Sequence, residues 1–217
     1  MVNTILLDLD GTLTDSKLGI TTCIRYALEQ LGHPLAHHID LDWTIGPPIK
    51  ASFFKILNTQ DEVLVDRAVA LYRERFSVTG LFENDVYPQV ASTLETLSER
   101  GYTIYLATAK AQVYAIRILE HFDLLKYFKF PYGSELTGER SDKSELIAYI
   151  LEQENLTPAQ CLMVGDRQYD ILGARHNQIQ AIAVSYGYGT AEELQGTQPY
   201  AIIDQFSQLL EYCPSLK

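Results

Sequence analysis

The chain has 217 residues, with 17 Lys and Arg against 28 Asp and Glu, a formal net charge of −11. At 47% hydrophobic and 21% charged residues it has the balance of a globular protein, and its length fits one domain or one domain with a small insert. The acidity speaks against nucleic acid and anionic membrane as partners, because phosphate contacts need clustered Lys and Arg and no basic run of five is present.

The first element is the apolar run Thr4-Ile5-Leu6-Leu7, which opens into Asp8-Leu9-Asp10-Gly11-Thr12. It reads as a buried strand ending in a polar loop. Residues 16–80 then show helical periodicity without a convincing buried strand. Ile20, Ile24, Ala27, Leu28 and Leu31 form one stripe, and helical stretches follow around 49–58 and 61–76. So long a helical segment exceeds a simple crossover and predicts an insert after the first strand. Seven basic and seven acidic residues leave it without net charge. Hinges are expected near Asp15-Ser16 and Gly80.

Beyond the insert, strands and helices alternate. Val90, Leu94 and Leu97 mark a helix, and residues 102–107 a strand. Residues 129–132 fit an edge strand, where Pro131 is tolerated. Ser141-Asp142 caps a helix carrying Leu146, Ile147, Ile150 and Leu151. Residues 161–164, 181–184 and 200–203 complete the strands. The alternation predicts an α/β fold with a mostly parallel sheet, the core being 1–15 and 81–217 and the helical insert 16–80.

In open α/β sheets ligands bind beyond the carboxyl ends of the strands. Asp8 and Asp10 follow the first strand, Thr108 and Ala109 the second, and Asp166 and Asp170 the strand at 161–164. Asp8 and Asp10, spaced i and i+2 in extended chain, share a face and repel unless a cation lies between them. Asp166 adds a third carboxylate, and an all-oxygen set suits Mg²⁺. A metal ion would also invert the local sign for an anionic substrate. Thr108 and the following amide at a strand-to-helix turn would form an anion site. Lys143 opens a helix, where the macrodipole disfavours a cation, so a partner must explain it. Asp166 and Asp170, spaced i and i+4, would share a helix face if Asp166 enters the helix.

Cys23, Cys161 and Cys213 are odd in number and far apart, which fits buried thiols in a reducing compartment. No charged leader and no apolar run near the ~20 residues of a membrane span is present, so the cytoplasm is expected.

These motifs resemble those of the haloacid dehalogenase superfamily. Asp8-Leu9-Asp10-Gly11-Thr12 resembles its nucleophile motif, Thr108 its second, Lys143 its third, and Gly165-Asp166-Arg167-Gln168-Tyr169-Asp170 its fourth. The insert resembles the small helical cap of the phosphoglycolate phosphatase-like subgroup, and Gly46-Pro47-Pro48-Ile49 its cap loop, where Pro47 and Lys50 would meet substrate. The resemblance implies a Rossmann-like core and a Mg²⁺-dependent phosphatase. Asp8 would be the nucleophile and Asp10 the general acid and base. Asp8, the Asp10 backbone carbonyl and Asp166 would hold the metal, with Asp170 behind them. Thr108, the Ala109 amide and Lys143 would hold the phosphoryl group.

The dehalogenases of this superfamily lack the second aspartate, and its ion pumps carry Lys-Thr after the nucleophile; neither pattern fits. Its sugar-phosphate mutases place a His soon after the first motif, and residues 17–25 contain none, which favours hydrolysis. A small phosphorylated metabolite is the expected partner. Phosphoglycolate, pyrophosphate, nucleotides and sugar phosphates all remain open, as does the choice between monomer and homodimer.

Overall fold

The computed structural model describes residues 2–216. The chain divides into two compact units, one of residues 1–15 and 86–217 and one of residues 16–85.

The first unit contains β1 (Thr4–Leu7), β4 (Thr103–Ala111), β5 (Phe130–Ser134), β6 (Cys161–Gly165), β7 (Gln180–Val184) and β8 (Ala201–Ile203). Two short strands, β2 (Thr14–Asp15) and β3 (Asp85–Val86), lie where the chain passes between units. The six longer strands form one parallel sheet in the order β5-β4-β1-β6-β7-β8. β1 is thus central, and its neighbours arrive from later in the chain on both sides. Such a reversal of strand order opens a crevice at the carboxyl ends.

Both faces of the central strands are buried, which is why they read as continuous apolar runs. On one face Leu6, Tyr105, Ala107 and Met163 pack with Leu146, Ile147 and Ile150 of α6 (Lys143–Gln153) and Ile171 and Ala174 of α7 (Gln168–His176). The Asp142 carboxylate caps α6, accepting from the Ser144 amide at 2.8 Å and the Glu145 amide at 3.1 Å. Register sets the site: Leu7 pairs with Leu106 on one side and Val164 on the other. The residues that follow, Asp8, Ala107-Thr108 and Gly165-Asp166, therefore lie at one level of the sheet.

Two local expectations need correction. Residues 108–110 are not a strand-to-helix turn but the end of β4, which runs on to Ala111 before α5 (Gln112–His121). A register shift between Thr108 and Ala111 and a hydrogen bond from Ser134 Oγ to the Ala109 carbonyl (2.8 Å) keep that segment in the sheet. Its irregular pairing breaks the apolar alternation, so the sequence pattern stops short. Asp166, for its part, precedes α7 and does not share its face with Asp170. The helix starts only at Gln168, whose amide donates to Glu193 Oε1 at 2.8 Å.

The second unit consists of α1 (Lys17–Gln30), α2 (Ile49–Ile56) and α3 (Glu62–Phe76) with short connecting turns. Ile20, Cys23, Ile24, Ala27 and Leu28 bury the stripe of α1, and Val65, Ala68, Val69, Tyr72 and Phe76 that of α3. Phe53 meets the edge of Tyr72, which stacks on Phe76 at 5.1 Å. The unit ends at residue 85, five residues beyond the expected hinge at Gly80. Glu83 explains the difference: its carbonyl accepts from the Gly19 amide (3.0 Å), and its carboxylate pairs with Arg75 at 2.7 Å. The longer segment adds Glu83 and Asp85, so the insert carries −2 rather than no charge.

Candidate active site

Lys143 stands at the first position of α6, against the helix dipole, and its side chain runs inward to full burial. Three oxygens receive the ammonium: Asp8 Oδ1 at 3.0 Å, Asp170 Oδ1 at 2.8 Å and the Ala107 carbonyl at 2.7 Å. Burial works against its charge, but Asp170 and Asp8 outweigh that and hold its pKa above the ordinary lysine range. Asp170 is pushed up to about 6 by burial, with Lys143 partly offsetting the shift. Its Oδ2 accepts from the Arg167 amide at 3.1 Å, tying the start of α7 to the cluster.

Asp166 is fully buried. Its Oδ2 accepts from the Tyr188 amide at 2.7 Å, while Oδ1 has no hydrogen-bond partner. Burial, then Asp170 and Asp8, push its pKa well above the carboxylate range. Two glycines permit the close packing. Gly11 has φ +81°, and a Cβ there would lie 2.1 Å from Asp166 Oδ2; a Cβ on Gly187 would lie 2.4 Å from Asp166 Cβ.

Asp8, Asp166 and Asp170 each bring a carboxylate oxygen within 4.8 Å of the others. One ammonium cannot offset three buried carboxylates, and the orphaned Asp166 Oδ1 is an acceptor that needs a donor or a cation. An all-oxygen set of this charge fits Mg²⁺. Asp170, expected one step further out, belongs to this group of three, whereas the Asp10 carboxylate does not. Asp10 Oδ2 instead pairs with Lys110 Nζ at 3.0 Å, with both side chains less than 10% exposed.

Thr108 is buried at the end of β4, and its Oγ1 accepts from the Lys110 amide at 3.3 Å. Ala109 follows it there. Pro47 and Lys50 lie in the second unit. Lys50 pairs with Asp66 at 2.7 Å, so the cation expected to meet substrate already has an acidic partner on α3.

Residues 5–184 match the family described as haloacid dehalogenase-like hydrolase. The chain belongs to that family. This haloacid dehalogenase-like hydrolase is 46% identical over 195 residues to a 5'-nucleotidase of Pseudomonas aeruginosa, covering 90% of this chain and 88% of that one. It is 29% identical over 217 residues to a phosphoglycolate phosphatase of Aliivibrio fischeri, covering 96% and 95%. The crystal structure of a predicted phosphatase from Clostridium acetobutylicum matches it with a TM-score of 0.93 at 38% identity, over 98% of each chain. The protein is a haloacid dehalogenase-like phosphoric monoester hydrolase.

Sequence reasoning gives no role to several residues that this hydrolase places around the candidate site. Lys110 is one, since a Lys two residues past a strand motif has no spacing rule that points to Asp10. The loop after β7 is another. Besides the Tyr188 amide, Tyr186 donates its hydroxyl to the Thr12 carbonyl (2.7 Å) and Tyr188 its own to Asp15 Oδ1 (2.6 Å). Burial and the Asp15 carboxylate hold the Tyr188 hydroxyl protonated, as that donation requires. The pattern Tyr186-Gly187-Tyr188-Gly189 is the signal that could have found it. Alternating aromatics and glycines let the loop backbone press on Asp166 while the tyrosine side chains reach across to Thr12 and Asp15.

Proposed function

We propose that this hydrolase cleaves small phosphomonoesters in the presence of Mg²⁺ through a phosphorylated Asp8. The observation that carries the reading is the buried convergence of Asp8, Asp166 and Asp170 on Lys143. Four charged groups are desolvated together at the carboxyl ends of three adjacent strands, a placement that stability alone does not favour.

In the first half-reaction an Asp8 carboxylate oxygen forms a bond to phosphorus, and the bond from phosphorus to the ester oxygen breaks. The leaving oxygen takes its proton from Asp10. In the second half a water gives a proton to Asp10 and attacks the same phosphorus, which frees Asp8 and inorganic phosphate. Splitting one displacement into two lowers each barrier. Lys143 holds Asp8 in place and puts a positive charge beside the incoming phosphoryl group. Thr108 and the Ala109 amide supply neutral donors at the same level of the sheet, most effective where charge develops in the transition state. Asp8, the Asp10 carbonyl and Asp166 would hold the metal ion, with Asp170 available beside them. That ion supplies charge neutralisation between Asp8 and the phosphate dianion.

The likeness to a 5'-nucleotidase and to a phosphoglycolate phosphatase, both acting on phosphomonoesters by name, supports this reaction class. The closer of these two likenesses favours nucleoside 5'-monophosphates as the first substrates to try, ahead of phosphoglycolate. The absence of a His in residues 17–25 supports hydrolysis over mutase action. The second unit is proposed as the cap that selects the leaving group, and the cytoplasm as the location. The test is a panel of nucleotides, phosphoglycolate, sugar phosphates and pyrophosphate, with and without Mg²⁺, read by release of inorganic phosphate. Release should depend on Mg²⁺ and vanish in Asp8→Asn. Activity that persists in Asp8→Asn overturns Asp8 as nucleophile.

A further inference from the structure

We propose that Lys110 is a positioning residue for Asp10, fixing which of its two oxygens exchanges the proton. The inference rests on the reading of Asp10 as general acid and base. An unanchored carboxylate presents two equivalent oxygens and rotates between them. Here Lys110 Nζ holds Oδ2 at 3.0 Å, while Asp10 Oδ1 is buried without a hydrogen-bond partner. One oxygen is therefore committed to the protein and the other is left for chemistry.

The anchor is itself well held. Lys110 lies in the irregular last turn of β4, where its amide donates to Thr108 Oγ1 and the neighbouring Ala109 carbonyl accepts from Ser134. Its side chain is only 6% exposed, so a flexible four-carbon stem has been immobilised. A buried ion pair of this kind adds little stability over an apolar pair of the same shape. Orientation is what it supplies. The pairing also places Asp10 apart from the Asp8, Asp166 and Asp170 group, although only two residues separate it from Asp8. The two motif carboxylates thus receive different cations: Lys143 goes to Asp8 and Lys110 to Asp10.

The proton balance is simple. The Oδ1–H bond of Asp10 breaks as the ester P–O bond breaks, and the bonding pair and proton both end on the leaving oxygen. In the second half a water O–H bond breaks and its proton goes to Oδ1. Lys110 keeps its protons throughout.

The test uses kcat/KM for a series of substituted phenyl phosphates of falling leaving-group acidity, ending in an alkyl phosphate, with Mg²⁺ saturating. A misplaced acid matters most where the leaving oxygen most needs its proton. Asp10→Asn should lose on the order of 10²–10⁴-fold on the alkyl ester and little on the most acidic phenol. Lys110→Met should show the same slope with a smaller loss, on the order of 10-fold on the alkyl ester, as expected for a misoriented group. Lys110→Arg should recover the shallow slope, and Asp10→Asn/Lys110→Met should be no worse than Asp10→Asn. Lys110→Gln, with its melting curve recorded, replaces the Met variant should that one fail to fold. A Lys110 loss uniform across the series, or confined to KM, overturns the positioning role. A shallow slope in Asp10→Asn overturns instead the acid–base reading on which it rests.

Discussion

The first unit buries six charged residues, Asp8, Asp10, Lys143, Asp166, Arg167 and Asp170; among the described residues the second unit buries none. Its buried polar groups, Ser16, Thr44, Ser52 and Asn84, are all neutral. The ion pairs of the insert, Lys17 with Asp42, Lys50 with Asp66 and Arg75 with Glu83, keep at least a fifth of each side chain in solvent. The overall charge divides in the same sense, −9 in the first unit and −2 in the second. Desolvating a charge costs several kcal/mol unless something is gained from it. The contrast therefore locates chemistry more sharply than net charge does. Acidic surface residues keep a protein soluble, whereas the charges withdrawn from water at the carboxyl ends of the strands are the ones on which the proposed function rests.

Substitutions test the contrast directly. Lys143→Met should be the most damaging. It strands Asp8 and Asp170 together without their cation, and should cost about 3–5 kcal/mol of stability, read by urea unfolding, with turnover falling at least ~100-fold. Gly187→Ala comes next. Its new Cβ would press on Asp166, and the Mg²⁺ concentration for half-activation should rise about 10–100-fold. An unchanged Mg²⁺ requirement would show that the loop leaves Asp166 indifferent.

Glu154 sharpens the comparison, being charged and well bonded yet remote from the cluster in role. Lys129 (2.9 Å), Tyr132 (2.7 Å) and Tyr105 (2.8 Å) hold it, Lys129 and Tyr132 chiefly, and pull its pKa down to about 2. A carboxyl depressed in the folded state stabilises above its ordinary pKa, and that contribution is lost as pH falls through the folded value. Glu154→Gln should thus lower stability by about 1–2 kcal/mol at neutral pH, converge with wild type as pH approaches 2, and leave kcat unaltered. Arg75→Met, in the insert, should cost about 1–2 kcal/mol, since both partners of its fork to Glu83 are three-quarters buried or nearly so. The smallest effect should come from Lys17→Ala, within about 0.5 kcal/mol in the same unfolding assay, because its pair with Asp42 is largely solvated.

The strands are readable because they are buried on both faces and leave apolar runs, Asp8 and Asp166 because each sits where such a run ends, and Lys143 because it opens a helix against the dipole. Asp170 was readable by its spacing, but not its place: the distance from Asp166 suggested a shared helix face, whereas Asp170 folds back to cap Arg167. The end of β4 was hidden by its register shift. The end of the insert was hidden because Glu83 bonds to Gly19 and Arg75, contacts that leave no local period. Lys110 and the Tyr186–Tyr188 loop were silent for the same reason. The side-chain partners, Asp10 for Lys110 and Thr12 and Asp15 for the two tyrosines, lie about a hundred residues away or more, and no propensity rule spans that distance.

The Tyr186 hydroxyl and the Thr12 carbonyl are 174 positions apart in the chain. In a chain made from its N-terminus the Asp8–Asp15 loop is synthesised well before Asp166, the Tyr188 amide that orients it and the hydroxyls that brace Thr12 and Asp15. Contacts of such separation form late in folding as well as in synthesis. A growing or truncated chain therefore displays the motif without the means to organise it. The buried group of Asp8, Asp166 and Asp170 assembles only once segments far apart in the sequence have met.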